Sequence, residues 1–254
     1  METNPIIRVV HFTSILSGAT IIDDISFDVF PGEIFVILGG SGCGKSTLLK
    51  HMIGLIEPAK GEIYIDGDNL VMVDDVRRAE VLNKIGVTYQ QSALFGSMDL
   101  LENVSLPLKE FTNLPKDAIE LVAKIKLKLV GLEKFIHHMP AEISGGMKKR
   151  AAIARAMALD PKILFLDEPS AGLDPITSAE LDNLIKRLSK TLKITFVIVT
   201  HELESVYSIA DRVIMLDKRV KKIVATGKPS ELRDYSTDPW VRQFFRREAS
   251  EEKS

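Results

Sequence analysis

The stretch ILGGSGCGKSTLLKHMIG, from Ile37 to Gly54, restricts this chain more than any other. Gly39, Gly40, Gly42 and Gly44 crowd its first half, the apolar run EIFVI precedes it, and a helically spaced segment follows. A helix N-terminus exposes unpaired backbone N–H groups and carries roughly half a positive charge, so it attracts anions. Glycines let the preceding backbone curl around a phosphate in conformations that a Cβ forbids. Gly39, Gly44, Lys45 and Ser46 satisfy the pattern G-x-x-x-x-G-K-[ST], in which the lysine reaches β- and γ-phosphates and the serine hydroxyl ligates Mg²⁺. The phosphate loop thus comprises Gly39, Gly40, Ser41, Gly42, Cys43, Gly44, Lys45, Ser46 and Thr47. A nucleoside triphosphate is the expected ligand, and a strand–loop–helix unit is the expected local structure.

With 254 residues the chain can bury one large core, or one core and a smaller appended lobe. Its net charge of −2 and lack of a sustained basic tract argue against nucleic acid as a partner. The compact basic cluster KRVKK, Lys218–Lys222, lies between the strand-like runs RVIML and KIVATG and reads as a solvated hairpin tip. Cys43 is the single cysteine, which excludes an intramolecular disulfide and fits a reducing compartment. Its place in the loop predicts that blocking its thiol obstructs nucleotide binding. No apolar run approaches the ~20 residues needed to span a bilayer. The segment METNPIIRVV lacks the basic and apolar regions of a secretory signal, so the expected location is the cytoplasm.

Strand patterns come in two kinds. DISFDVF, Asp24–Phe30, alternates apolar Ile25, Phe27 and Val29 with polar Ser26 and Asp28, as a half-buried strand does, and GEIYIDGDNL alternates likewise. IFVIL, ILFLD and TFVIV are unbroken apolar runs, the pattern of parallel strands covered on both faces. DPITSAELDNLIKRLSK reads as a helix with Asp174 as N-cap and Pro175 at its first position. Between about 92 and 160 long apolar strands are missing. PKDAIELVAKIKLKLVGL, from Pro115 to Gly131, places Ile119, Val122, Ile125 and Leu129 at helical spacing for core packing. The expected architecture is α/β: a core of mainly parallel sheet, an N-terminal antiparallel β subdomain and an inserted helical lobe. The closing residues EASEEKS read as a disordered tail.

Three further segments carry chemistry. ISGGMKKRAAIARAMALDP places Ser144, Gly145 and Gly146 before a run of good helix formers, which makes a second exposed helix N-terminus and a second phosphate site. ILFLDEP brings Asp167 and Glu168 to the carboxyl end of a buried strand, where ligands bind in open α/β sheets. Asp167 is placed to hold Mg²⁺ and Glu168 to polarise an attacking water, since phosphoryl transfer depends mainly on positioning and charge stabilisation. TFVIVTHE ends in His201 on the same sheet edge, within reach of a γ-phosphate. IGVTYQQSALF puts Gln90 after a short strand, where its amide can meet Mg²⁺ or water. His11, His51, His137 and His138 carry no such context and read as structural.

In this order the residues resemble the ATP-binding subunits of ABC transporters over nearly the whole chain. The resemblance covers the Walker A loop Gly39–Thr47, the Q-loop at Gln90, the signature Ser144–Met147, Walker B ending in Asp167 and Glu168, the D-loop Ser170–Asp174 and the H-loop His201. It implies the ABC ATPase fold, a single ATPase domain over 1–239, and a docking segment and tail over 240–254. It also implies ATP and Mg²⁺ as ligands, with Lys45, Glu168 and His201 catalytic and Ser46, Gln90 and Asp167 around the metal. Two such subunits pair head to tail, so that one copy's phosphate loop and the other copy's SGGM helix enclose each ATP.

ALFGSMDLLENVSLPL, SGGMKKRAAIARAMALDP, GLDPIT, SIADRVIML and DPWVRQFF look like the ATPases of Mla/Mce-type phospholipid transport systems. That likeness implies a separate membrane permease, a lipid-binding MCE-type subunit and a place on the cytoplasmic side of the inner membrane. Importers of amino acids or other small solutes are the alternative among transporters. Non-transport relatives carry long coiled coils or two ATPase domains, for which this chain has no room. An unrelated kinase or small GTPase leaves ISGGMKKR and THE unexplained. Met147 stands where the signature usually has glutamine, so one hydrogen-bonding contact is lost. HFTSILSGATII offers no aromatic ring after Phe12 to stack on adenine. Finally, Trp240, Val241, Phe244 and Phe245 recur at helical spacing in DPWVRQFFRR, a helix too short to be stable unless docked. Its surface is this chain's own core, the partner ATPase or another subunit, or, less favoured because three arginines attract anionic lipid only modestly, the membrane.

Overall fold

Each long apolar run divides its side chains between two cores, which is why none alternates with polar residues. The computed structural model describes residues 4–247; the expected tail EASEEKS lies outside them. In β3 (Ile34–Gly39), β7 (Ile163–Asp167), β8 (Thr195–Val199) and β9 (Arg212–Asp217), successive residues point to opposite faces of one sheet. Val36, Leu38, Leu164, Leu166, Phe196, Ile198, Val213 and Met215 face one core. Phe35, Ile37, Ile163, Phe165, Val197, Val199, Ile214 and Leu216 face the other. Each such side chain, fully buried, contributes about 1.5–3 kcal/mol.

The six-stranded sheet has the order β10-β9-β3-β8-β7-β6, where β6 is Ile85–Thr88 and β10 is Lys222–Gly227. All pairings are parallel except β10 with β9, which forms a hairpin. The basic cluster that begins at Lys218 occupies its turn, as the flanking patterns predict. Ile37 and Asp167 both lie opposite Val199, so the C-terminal ends of β3, β8 and β7 stand side by side. A second, antiparallel sheet has the order β2-β1-β4-β5, formed by β1 (Ile7–Leu16), β2 (Ala19–Val29), β4 (Lys60–Ile65) and β5 (Asp68–Asn69). Ile25, Phe27 and Val29 point inward from it, as their alternation predicts. It shares its core with helix α1 (Lys45–Met52) and one face of the large sheet. Helix α2 (Asp75–Leu82) caps itself through the Asp74 side chain, which accepts from Arg77 N at 2.8 Å.

Among the described residues, no strand lies between Thr88 and Ile163. That interval holds α3 (Leu100–Phe111), α4 (Lys116–Leu129) and α5 (Gly145–Ala156), packed on one another. Asp99 and Glu102 close a capping box at the start of α3. Gly131, at a φ of 73°, follows α4 in the left-handed region that glycine favours. Ile119 is buried as its spacing predicts, but Ile125 is 47% exposed. Lys126, next to it, is buried instead, and its ammonium pairs with Asp160 beyond α5.

Helix α6 (Pro175–Leu192) starts where the sequence predicts. The Asp174 carboxylate accepts from the amides of Ile176 and Thr177, both at 3.0 Å, and Pro175 takes the first position. Helices α7 (Leu203–Ile209), α8 (Pro229–Tyr235) and α9 (Pro239–Arg246) complete the fold. Val241 and Phe245 of α9 are buried in this chain's own larger core, with Trp240 and Phe244 half-buried against it. Val241 and Phe245 of the C-terminal apolar face are therefore packed within this chain. No helix among the described residues is long and apolar enough to cross a membrane.

Candidate active site

The phosphate loop is the turn from β3 into α1, and its glycines are where the backbone needs them. Gly39 has a φ of 151°, and a Cβ there would lie 2.4 Å from the Leu216 carbonyl oxygen and 2.6 Å from Cys43 Sγ. Gly44, at a φ of 99°, precedes α1, where a Cβ would lie 2.9 Å from Ile21 Cγ2. A side chain at either position would fill the cradle or distort its wall. Lys45 is buried, and its ammonium donates to the carbonyl oxygens of Gly39 at 2.8 Å and Gly40 at 3.2 Å. Its charge is therefore held across the concavity of the loop. Ser41, Gly42 and Ser46 are exposed, while Gly40 and Thr47 are partly so. Cys43 is only 2% exposed, and burial pushes its thiol pKa up. The expected handle for thiol reagents is therefore poorly accessible and rarely a thiolate.

The sheet brings three sequence-predicted residues, Asp167, Glu168 and His201, to this loop's edge. Ser46 Oγ donates to Asp167 Oδ1 at 3.3 Å, joining α1 to the end of β7. Burial pushes the Asp167 carboxyl pKa up, and the Ser46 hydrogen bond opposes that. Hard oxygen donors from a serine hydroxyl and a carboxylate side by side fit Mg²⁺. Glu168 follows at a φ of 47°, a left-handed conformation that costs a non-glycine residue of order 1–3 kcal/mol. Its amide still donates to Val199 O at 2.8 Å, so the chain turns sharply without leaving β8. The turn delivers the carboxylate to His201 Nδ1, 2.8 Å from Oε1, and to Thr200 Oγ1, 3.1 Å from Oε2.

Gln90 lies two residues beyond β6 and is exposed. The chain after it is organised by residues that local patterns do not single out. Buried Asn103 accepts from Phe95 N at 2.8 Å and donates to the carbonyls of Phe95, Met98 and Asp99. Arg155 of α5 donates to Ser92 O and Ala93 O, at 3.2 and 2.8 Å. Ser92 and Ala93 both have positive φ, so two left-handed residues in succession present those carbonyls. An asparagine or arginine within a helical stretch is the signal available in sequence, and it does not name its partners.

Ser144 and Gly145 are exposed, and Ser144 caps α5 by accepting from Met147 N at 3.3 Å. Gly146 is buried, with space for no side chain, since a Cβ would lie 2.3 Å from Thr177 Cγ2 of α6. Among the described residues no hydrogen bond joins Ser144–Gly146 to the loop Gly39–Thr47. Within a single chain the N-termini of α1 and α5 are thus not joined to one another.

Comparisons with known proteins agree with this geometry. The ABC transporter family model matches residues 22–171. The chain is 42% identical over 238 residues to the intermembrane phospholipid transport system ATP-binding protein MlaF of Escherichia coli K12, covering 94% of this chain and 87% of that protein. It is 41% identical over 239 residues to the probable ribonucleotide transport ATP-binding protein mkl of Mycobacterium leprae, covering 94% of this chain and 68% of that one. Among solved structures, cbiO1 from Clostridium perfringens, part of the ABC transporter complex cbiONQ, superposes with a TM-score of 0.84 at 31% identity, covering 91% and 92% of the two chains. The dimeric ATP-binding cassette MJ0796 bound to ADP and Pi gives 0.78 at 31% identity, covering 87% of this chain and 98% of that one.

Proposed function

The chain belongs to the ABC transporter family as an ATP-hydrolysing subunit, and from that premise we propose that it powers a separate membrane permease moving phospholipid between inner and outer membranes. The observation that carries the cargo assignment is the likeness to MlaF proteins over nearly the full chain. In this reading the chain sits at the cytoplasmic face of the inner membrane, held there by the permease, with an MCE-type subunit as the lipid-binding partner.

The site residues take the following roles. Lys45, released from the loop carbonyls, neutralises the β- and γ-phosphates, while backbone N–H groups from Gly39 to Thr47 cradle them. Ser46, Gln90 and Asp167 would hold Mg²⁺. That ion would supply charge neutralisation between phosphate oxygens. Glu168 orients and polarises the attacking water, and His201 fixes the carboxylate while facing the γ-phosphate. Ser144, Gly145 and Gly146 close over the ATP of a second copy in a head-to-tail pair. Support for that pairing comes from the separation of the two helix ends within one chain and from the dimeric relatives of the same fold.

The test is purification of the tagged chain from membranes with its associated proteins, followed by mass spectrometry of protein and lipid. The expected result is an integral permease with bound phospholipid, and ATP-driven transfer of a fluorescent phospholipid between vesicles by the complex. Because mkl proteins are described as ribonucleotide transporters, labelled ribonucleotide uptake is the competing arm. Transport of that solute without lipid transfer, or the lack of any membrane partner, overturns the cargo assignment.

A further inference from the structure

One buried cation has no part in the roles above. Lys149 lies on α5, five residues past the Ser144 cap, and is only 9% exposed. Among the described residues it makes no ion pair. Its ammonium donates instead to the backbone carbonyl of Gln90 and, at 3.3 Å, to that of Glu168. These carbonyls follow neighbouring strands, β6 and β7, which pair in parallel up to Thr88 and Leu166. Beyond that pair β6 and β7 part, and the carbonyls of Gln90 and Glu168 need donors other than each other's strand. At Glu168 the left-handed turn aims the carbonyl toward α5, where the Ala171 amide at 3.2 Å joins Lys149.

A buried ammonium is costly unless its donors are used, whereas methionine fills similar space without that cost. The charge is used on the carbonyls it holds, and the Glu168 and Asp167 carboxylates favour it there. The same helix is fixed to the same region at two further points. Arg155 holds the carbonyls of Ser92 and Ala93. Gly86 in β6 lies so close that a Cβ there would sit 2.2 Å from Ala156 O. Glu168 is consequently held from two sides: its carboxylate by Thr200 and His201 beyond β8, its backbone by α5. A shift of α5 relative to β8 must change where the carboxylate points.

We infer that Lys149 is a positioning residue for ATP hydrolysis, tying the backbones of Gln90 and Glu168 to the helix whose N-terminus carries Ser144. It touches none of the reacting atoms. It makes the water-polarising glutamate and the glutamine follow α5 as one unit, so engagement of Ser144 by nucleotide on a second copy is felt in this chain's own site. The inference rests on the ATPase reading above.

The test uses the full chain with Mg-ATP and the variants Lys149→Met, Lys149→Gln and Lys149→Arg. Lys149→Met should lower kcat by roughly tenfold to a hundredfold, the scale of a small misplacement of catalytic groups. ATP affinity, measured with a fluorescent ATP analogue, should stay within about twofold, because the phosphate loop is untouched. Lys149→Arg, whose fork can serve both carbonyls, should recover most of kcat. Amide exchange should rise in 90–95 and 168–171 of Lys149→Met while the β1–β2 hairpin stays protected. Wild-type kcat in Lys149→Met overturns the inference, as does a loss in which affinity and thermal midpoint fall with kcat. An arginine variant as slow as the methionine one also overturns it. If Lys149→Met does not fold, Lys149→Leu, which likewise lacks a donor, is judged by the same comparisons, whereas Lys149→Gln, whose amide N–H groups can serve both carbonyls, should keep much of kcat. A wild-type chain that does not hydrolyse ATP would instead defeat the ATPase reading itself.

Discussion

His201 Nδ1 stands 2.8 Å from Oε1 of Glu168, and Thr200 Oγ1 stands 3.1 Å from the other carboxylate oxygen. A carboxylate only accepts, so the imidazole carries its proton on Nδ1 and the threonine hydroxyl donates. Two consecutive residues beyond β8 thus fix both oxygens of a side chain that leaves β7. Glu168→Gln keeps the volume and removes the charge. We expect that variant to bind ATP, to accumulate as a closed dimer and to turn over at least about 10²-fold more slowly in a steady-state phosphate-release assay. His201→Ala should fall less far, because Thr200 still holds one oxygen. Near-normal hydrolysis by Glu168→Gln sinks the role assigned to it.

Lys45 bonds Gly39 O and Gly40 O, so its ammonium is already poised over the loop. Lys45→Ala removes a charge-assisted contact of about 1.5–3 kcal/mol and should weaken ATP binding roughly 10- to 100-fold by titration. If sites are shared, Lys45→Ala mixed with Ser144→Arg yields a heterodimer with one doubly damaged site and one intact site. ATP-dependent pairing, read by light scattering, should reappear on mixing although each variant alone lacks it. No recovery points to a site contained in one chain.

His51 is 2% exposed, with Nδ1 2.9 Å from Ile56 O and Nε2 2.9 Å from Ser14 Oγ. The carbonyl makes Nδ1 the donor, so the neutral ring accepts from the serine. Burial pushes the His51 pKa down. The folded state then holds fewer protons here than the unfolded one, whose histidine titrates near ~6.5. This contribution to stability is complete above that pH and is lost as pH falls through it toward the folded pKa. Denaturant unfolding from pH 7.5 down to pH 5 should show a shallower decline for His51→Gln than for the wild type, although the variant is less stable throughout. Equal slopes contradict the assignment.

Phe245 closes the C-terminal contact: its ring lies 6.1 Å from that of Tyr207, whose hydroxyl donates to the Phe245 carbonyl at 2.9 Å. Arg219 stacks 4.7 Å from the Trp240 ring centroid and joins the hairpin turn to the same helix. Phe245→Ala should cost about 3 kcal/mol of monomer stability. Truncation before Trp240 should lower the thermal midpoint at least as much. An unchanged midpoint in both would mean that α9 contributes nothing to the fold in solution.

Read alone, the sequence determined what local chemistry dictates. A glycine-rich turn between an apolar run and a helix has few uses other than phosphate, and Asp174 followed by proline can only start a helix well. The double-faced apolar runs announced covered parallel strands, and those strands put Asp167, Glu168 and His201 on one edge. Tertiary structure alone decided what depends on partners distant in the chain. The pattern in α4 favours Ile125 as core, yet Lys126 is the residue inside, because Asp160 lies within reach of its ammonium. The apolar face of α9 has the same sequence whatever it docks on; that Val241 and Phe245 are buried beside Tyr207 and the larger core is a fact of tertiary structure alone. Lys149 reads as one more basic residue in MKKR, since hydrogen bonds to backbone carbonyls leave no trace in the identity of the residues that accept them. Periodicity and capping act over a few residues and are written in sequence, whereas burial of a charge is set by what the rest of the chain brings to it.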